Sequence, residues 1–147
     1  MKISIGADER KVVVDEVMDY LKKKGHLIHY YGPVGPESVP WPDVAISVAQ
    51  DVTTGKAEEG ILFCWTGTGV CMAANKIKGA RAALCVDAET ARGARLWNNA
   101  NILCLSLRHT SSAVAVEILD AWFSTTYLPN PTDDACLHKI SALDTEK

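Results

Sequence analysis

Short runs that are apolar at nearly every position alternate along the chain with longer stretches whose apolar residues recur at helical spacing. The runs are KISIGA (2–7), HLIHYYG (26–32), GILFCW (60–65), ARAALCV (80–86) and NILCLSL (101–107). Between and after them the pattern predicts helices over Arg10–Lys24, with Val13, Val17 and Leu21 on one face, and over Pro42–Thr53, Val70–Lys76, Ala88–Leu96 and Ser111–Phe123. Strand then helix, repeated, is the signature of βα units around a parallel sheet. Runs without polar alternation suit strands covered on both faces.

The expected fold class is therefore α/β: a three-layer αβα sandwich around a five-stranded parallel sheet, Rossmann-like in outline. The crossovers should be right-handed, and because the strands are parallel every carboxyl end should lie on one rim, where ligands bind in such sheets. The rim segments are GADER (6–10), GPVGPESVPWPD (32–43), CWTGTG (64–69), VDAE (86–89) and SLRHT (106–110). The proline-rich piece Gly32–Pro42 is short enough to be a loop over that rim. The tail from Tyr127 reads as a turn and a final helix from about Thr132 with no strand to pair with, a C-terminal extension (about 128–147) expected to pack on a partner subunit. Order is not expected in its last four residues, DTEK.

Composition narrows the class. The 147 residues form one domain by size, able to bury a core without staples. A net charge of −3 with no lysine or arginine run argues against nucleic acid or a membrane surface as partner. No apolar stretch is long enough for a membrane span, and MKISIGADER runs into a strand without a signal peptide's apolar segment, so a cytoplasmic protein is expected. The five cysteines are odd in number and include no CxxC pair, which disfavours a disulfide framework and a metal site; no cofactor is implied.

The chemistry concentrates in FCWTGTGVCMAANK (63–76). It lacks the lysine-serine ending of a P-loop, and a dinucleotide fingerprint would need glycine at Met72, so nucleotide or flavin binding has no motif behind it. What remains is a strand end, a turn with Gly67 and Gly69, and a helix start capped by Thr66 or Thr68. There, free backbone N–H groups hold a phosphate, carboxylate or oxyanion; the alternative is an ordinary tight turn. Cys64, before that helix, stands where a thiol serves as base or nucleophile, whereas Cys85 and Cys104 read as core. Cys71 in the first turn has no assigned face.

At these residues the chain resembles the type B ribose-5-phosphate isomerases and the galactose-6-phosphate isomerase subunits. The similarity runs through KISIGADER, WPDVA, GILFCWTGTG, AANKIKGARAALC, WNNANILCLSLR and ILDAWFSTTY. It implies a dimer with sites between subunits, self-associating as homodimer or tetramer, and cofactor-free aldose–ketose isomerisation of a phosphorylated sugar through an enediolate. By position, Cys64 matches the family's base and Thr66 a hydroxyl-proton shuttle. The Thr66, Gly67, Thr68 and Gly69 backbone matches donors to the enediolate oxygens. Asp8 matches a ligand of sugar hydroxyls, Asn98 a substrate-supporting asparagine and Arg108 a phosphate arginine.

Departures from the family pattern point to a different substrate. Glu9 replaces a histidine beside Asp8, Trp97 replaces the histidine that opens the sugar ring, and Trp65 replaces a glycine after the base. Near the C terminus Thr132 and Cys136 stand where phosphate-gripping arginines are usual, with Asp133 and Asp134 expected to repel an anion. The expected substrate is a small sugar or sugar phosphate other than ribose 5-phosphate, short or already open-chain, with Trp65 and Trp97 as stacking faces or space-fillers. His109 and His138 are the remaining acid-base candidates. A second reading is an impaired sugar-binding or regulatory subunit of an isomerase complex.

Overall fold

The computed structural model of the protein describes residues 1–145; Glu146 and Lys147 of the predicted tail lie outside the described residues. Five parallel strands, β1 (Lys2–Ala7), β2 (Leu27–Tyr31), β3 (Glu59–Cys64), β4 (Ala82–Leu84) and β5 (Ile102–Ser106), lie in the order β2-β1-β3-β5-β4. Six helices follow them: α1 (Val12–Lys23), α2 (Trp41–Thr53), α3 (Thr68–Ala74), α4 (Ala88–Asn98), α5 (Ser112–Ser124) and α6 (Pro131–Leu143).

Period-two alternation divides the core. On one face Ile61, Phe63, Leu103 and Leu105 meet Val14, Val17 and Leu21 of α1, Ala91 of α4 and Ile118 and Trp122 of α5. On the other Leu62, Cys64, Ile102 and Cys104 meet Val44 and Val48 of α2 and Val70 and Ala74 of α3. Steps toward β2 or back from β4 use α1 and α4, and steps the other way use α2 and α3 on the opposite face, so all four crossovers share one hand. The three-layer sandwich is as expected, and each fully buried large apolar side chain adds roughly 1.5–3 kcal/mol to it.

Two strands differ from the expectation of burial on both faces. β2 and β4 are the sheet edges and are only partly covered. β4 is also short, and its outer edge at Ala82 is covered by Asn75. Its amide donates to the Ala82 carbonyl (2.9 Å) and its oxygen accepts from the Ala82 N–H (2.9 Å).

Elsewhere a buried ion pair joins the layers: Arg95 on α4 reaches Glu59 at 2.8 Å, and the Trp122 indole donates to the same carboxylate. The final helix buries none of its residues, yet its end is held, since Asp144 accepts from the Gly79 N–H at 2.9 Å. That part of the tail is thus ordered.

Candidate active site

Parallel register sets three residues in a row on the carboxyl rim. Ala7 pairs with Phe63 and Cys64 with Ser106, and the Asp8 N–H donates to the Phe63 carbonyl at 3.3 Å. Asp8, Cys64 and Ser106 therefore stand side by side, one strand spacing of about 4.8 Å apart. Asp8 and Cys64 face each other where the chain's direction of travel across the sheet reverses, the place a switch in strand order predicts.

The turn after Cys64 is fastened to the end of β5. The Cys64 carbonyl accepts from the N–H groups of Leu107 (3.0 Å) and Gly67 (3.2 Å). The Trp65 carbonyl accepts from the Arg108 N–H (3.0 Å) and the Ser106 hydroxyl (2.8 Å). Ser106 was not among the sequence candidates; its signal was a lone polar side chain in NILCLSL. Gly67 has φ +76°, and a Cβ there would lie 2.5 Å from Leu84 Cδ1 and 3.0 Å from the Leu105 carbonyl carbon, so only glycine fits.

Neither threonine caps the helix, contrary to expectation. Gly67, in its left-handed conformation, occupies the N-cap position, and the Thr66 and Thr68 hydroxyls bond each other at 2.7 Å. The first-turn N–H groups are left without a side-chain partner, which keeps these donors open to a ligand.

The thiols separate by environment. Cys64 is 4% exposed and belongs to the core under α2 and α3. Cys71 is half-buried and turns toward β4, its sulfur donating to the Ala82 carbonyl at 3.4 Å. A hydrogen bond from Cys104 draws the Cys71 thiol down to about 7 against the opposing effect of burial. Burial pushes Cys85 up to about 12 and Cys104 well above its ordinary value.

Asp8 carries the site's least satisfied group. Its Oδ1 is buried with no hydrogen-bond partner among the described residues. Burial first, then the neighbouring Glu9 charge, raise its carboxyl above the usual range. The proline-rich loop does fold over this end of β1, with the Val39 N–H on the Asp8 carbonyl (2.9 Å) and a bridge between Glu9 and Ser38. The Glu9 carboxylate is taken by Lys11 at 2.7 Å.

One protomer thus gathers Asp8, Glu9, Cys64, Trp65, Thr66, Gly67, Thr68, Gly69 and Arg108 but not Trp97 or Asn98. A helix between parallel strands runs back down the sheet, so α4 starts on the rim and ends, about 16 Å away, at the opposite edge. There Arg81 Nε donates to the Asn99 carbonyl (2.7 Å) just before β4. Trp97 is 58% exposed at that far end.

The acidic pair of α6 is hydrogen-bonded beside the start of its own helix. Asp133 accepts from the Asn130 amide (2.7 Å) and Asp134 from the Tyr127 hydroxyl (2.6 Å), both at the start of the helix where negative charge is favoured. Among the described residues, no three His, Cys, Asp or Glu side chains lie placed to hold a metal, and no helix is long and apolar enough to cross a membrane.

A family model described as Ribose/Galactose Isomerase matches residues 3–140. The chain belongs to the ribose/galactose isomerase family. A D-erythrulose-4-phosphate isomerase of Pectobacterium atrosepticum is 40% identical over 125 residues, 83% of this chain and 82% of the relative. Among solved structures, ribose-5-phosphate isomerase B of Clostridium thermocellum superposes with TM-score 0.95 at 37% identity, covering 99% of both chains. That of Mycoplasma genitalium, solved with bound ribulose-5-phosphate, has TM-score 0.91 at 34% identity over 99% of this chain and 97% of the other. As a member of the ribose/galactose isomerase family the protein is an aldose–ketose isomerase.

Proposed function

We propose that the protein interconverts the aldose and ketose forms of a short, open-chain sugar phosphate, with Cys64 as the proton-transfer base. The observation that carries this reading is the rim row of Asp8, Cys64 and Ser106 beside an uncapped glycine turn. The Cys64 thiolate takes the proton from the carbon next to the carbonyl, leaving an enediolate. The same sulfur returns the proton to the neighbouring carbon, so the base ends as it began. First-turn N–H groups of α3 hold the developing negative oxygen, and Thr66 passes the hydroxyl proton between the two oxygens. Asp8, whose Oδ1 lacks a partner, binds a sugar hydroxyl.

Substrate length follows from what the chain lacks. Trp97 has no acid-base function to open a ring. A four-carbon sugar whose terminal hydroxyl is phosphorylated has no oxygen left to close a furanose, so it needs no ring opening. The relative named for D-erythrulose 4-phosphate is consistent with such a substrate. Arg108 supplies the phosphate charge, and the partner subunit completes the site from the far end of its own sheet, where α6 also packs.

Incubation in deuterated water with four-, five- and six-carbon sugars, with and without phosphate, tests the reading. Exchange at C1 or C2 of a four-carbon sugar phosphate, abolished in Cys64→Ala, is the expected outcome. Exchange undiminished in Cys64→Ala, or with none of the panel, would overturn it.

A further inference from the structure

The protein has five arginines, and four of their guanidinium groups are committed. Arg10 pairs with Asp15, Arg92 with Glu89 and Arg95 with Glu59, while Arg81 donates to the carbonyls of Gly79 and Asn99. Arg108 is different: among the described residues its side chain has no ion pair and no hydrogen bond. Its one partner is the Trp65 ring, with Cζ 5.9 Å from the ring centroid. A cation resting on an indole face keeps its hydrogen-bond donors free for an anion.

Trp65 is itself fixed relative to the base. It follows Cys64 directly, and its carbonyl is held by both Ser106 and the Arg108 N–H. Two consecutive carbonyls, those of Cys64 and Trp65, are bonded to two consecutive N–H groups, those of Leu107 and Arg108. The backbones that carry base, indole and guanidinium are therefore tied together across the ends of β3 and β5. An unsupported arginine, with its long flexible stem, would reach outward to any phosphate within its sweep. Here the half-exposed indole, 49% accessible, gives the guanidinium a single perch on the residue next to the base.

We propose that Trp65 is a positioning residue that sets substrate length: by perching Arg108 close to Cys64, it places the phosphate-binding charge at the reach of a four-carbon sugar phosphate and short of a five-carbon one. The inference rests on the isomerase reading above and adds to it the residue that selects chain length. One extra carbon moves the phosphate by more than about 1 Å, and a misplacement of that size costs on the order of 100-fold in rate. Discrimination by a single methylene commonly falls at roughly 10- to 200-fold.

The test compares kcat/KM for erythrulose 4-phosphate and ribulose 5-phosphate in wild type, Trp65→Gly, Trp65→Phe, Arg108→Ala and the Trp65→Gly/Arg108→Ala double variant. Trp65→Gly should move the four- to five-carbon ratio toward the longer sugar by at least about tenfold. Trp65→Phe, which keeps an aromatic perch, should hold the ratio near wild type. On the Arg108→Ala background the Trp65→Gly change should leave the ratio where it is, because Trp65 acts through the guanidinium.

An unchanged ratio in Trp65→Gly, or an equal shift with Arg108 absent, would overturn the inference. Calorimetric binding of three- and four-carbon aldonate phosphates, unreactive analogues in which one carboxylate carbon stands for the two enediolate carbons of the four- and five-carbon sugars, reads the same ratio without turnover. Absence of turnover by wild type on every sugar therefore counts against the isomerase substrate reading alone. The length inference stands or falls on the binding ratio.

Discussion

Cys64 and Asn98 stand at opposite ends of one sheet, the first at the carboxyl end of β3 and the second at the end of the helix that returns from β4 to the far edge. A site that uses both must draw them from two copies of the chain. The inactive variants Cys64→Ala and Asn98→Ala, mixed and reassembled at equal concentration, should then recover activity. Half of the molecules would be mixed dimers with one intact site each, so about a quarter of wild-type activity is expected. A mixture as inactive as its components would exclude Asn98 from the site.

Asp8→Asn should separate stability from activity. The Asp8 carboxyl is raised in the folded protein, mainly by burial, so the folded state holds its proton more tightly than the unfolded chain does. Wild type therefore loses stability as pH rises from the ordinary carboxylate value through the raised one, and the asparagine variant does not. The Tm difference should be smallest in acid and move in the variant's favour as pH rises to neutrality. Sugar turnover should fall in the same variant. Thermal unfolding across pH checks the sign, and a variant less stable at neutral pH than in acid relative to wild type would contradict it.

Thiol labelling offers a third measurement. With its thiol drawn down to about 7, Cys71 should react with iodoacetamide with a midpoint near neutrality. Cys85, pushed up to about 12 and fully buried, should stay unlabelled in the folded protein. Peptide mapping after brief exposure at pH 7 and 9 distinguishes them.

Arg95→Ala should be among the most destabilising surface-to-core changes. It strands the Glu59 carboxylate, which burial already raises despite Arg95, with only the Trp122 indole as partner. Breaking a buried pair in this way costs about 3–5 kcal/mol, or roughly 10 °C in Tm for a chain of this size. Replacing both partners, Glu59→Gln together with Arg95→Met, removes both charges at once and should cost much less. Urea denaturation of the two variants makes the comparison.

Most of the architecture was legible in the sequence because apolar runs such as GILFCW, short and bounded by turn residues, suit strands covered on both sides, and the sheet's centre is built from them. The edges were less legible: ARAALCV reads as a long strand, but only Ala82, Ala83 and Leu84 pair with β5. Of the site, the residues that follow strands were found together, since strand ends share a rim whatever the topology. Trp97 and Asn98 were not separable from them in the sequence, because spacing along the chain does not tell which end of a returning helix a residue occupies. For Asp133 and Asp134 the charge is visible in sequence, whereas the Asn130 and Tyr127 donors that hold the two carboxylates depend on where the helix begins.

The pair of hydrogen bonds that Asn75 makes to Ala82 has a consequence for how copies of this chain meet. An open sheet invites a neighbour's strand to add at its edge, and strand addition is the route to uncontrolled polymer. Here one carboxamide imitates the backbone of an absent sixth strand and closes that border at the first residue of β4. Growth by hydrogen-bonded extension is blocked there, so on this flank association falls to helix faces, which can form a closed pair and stop.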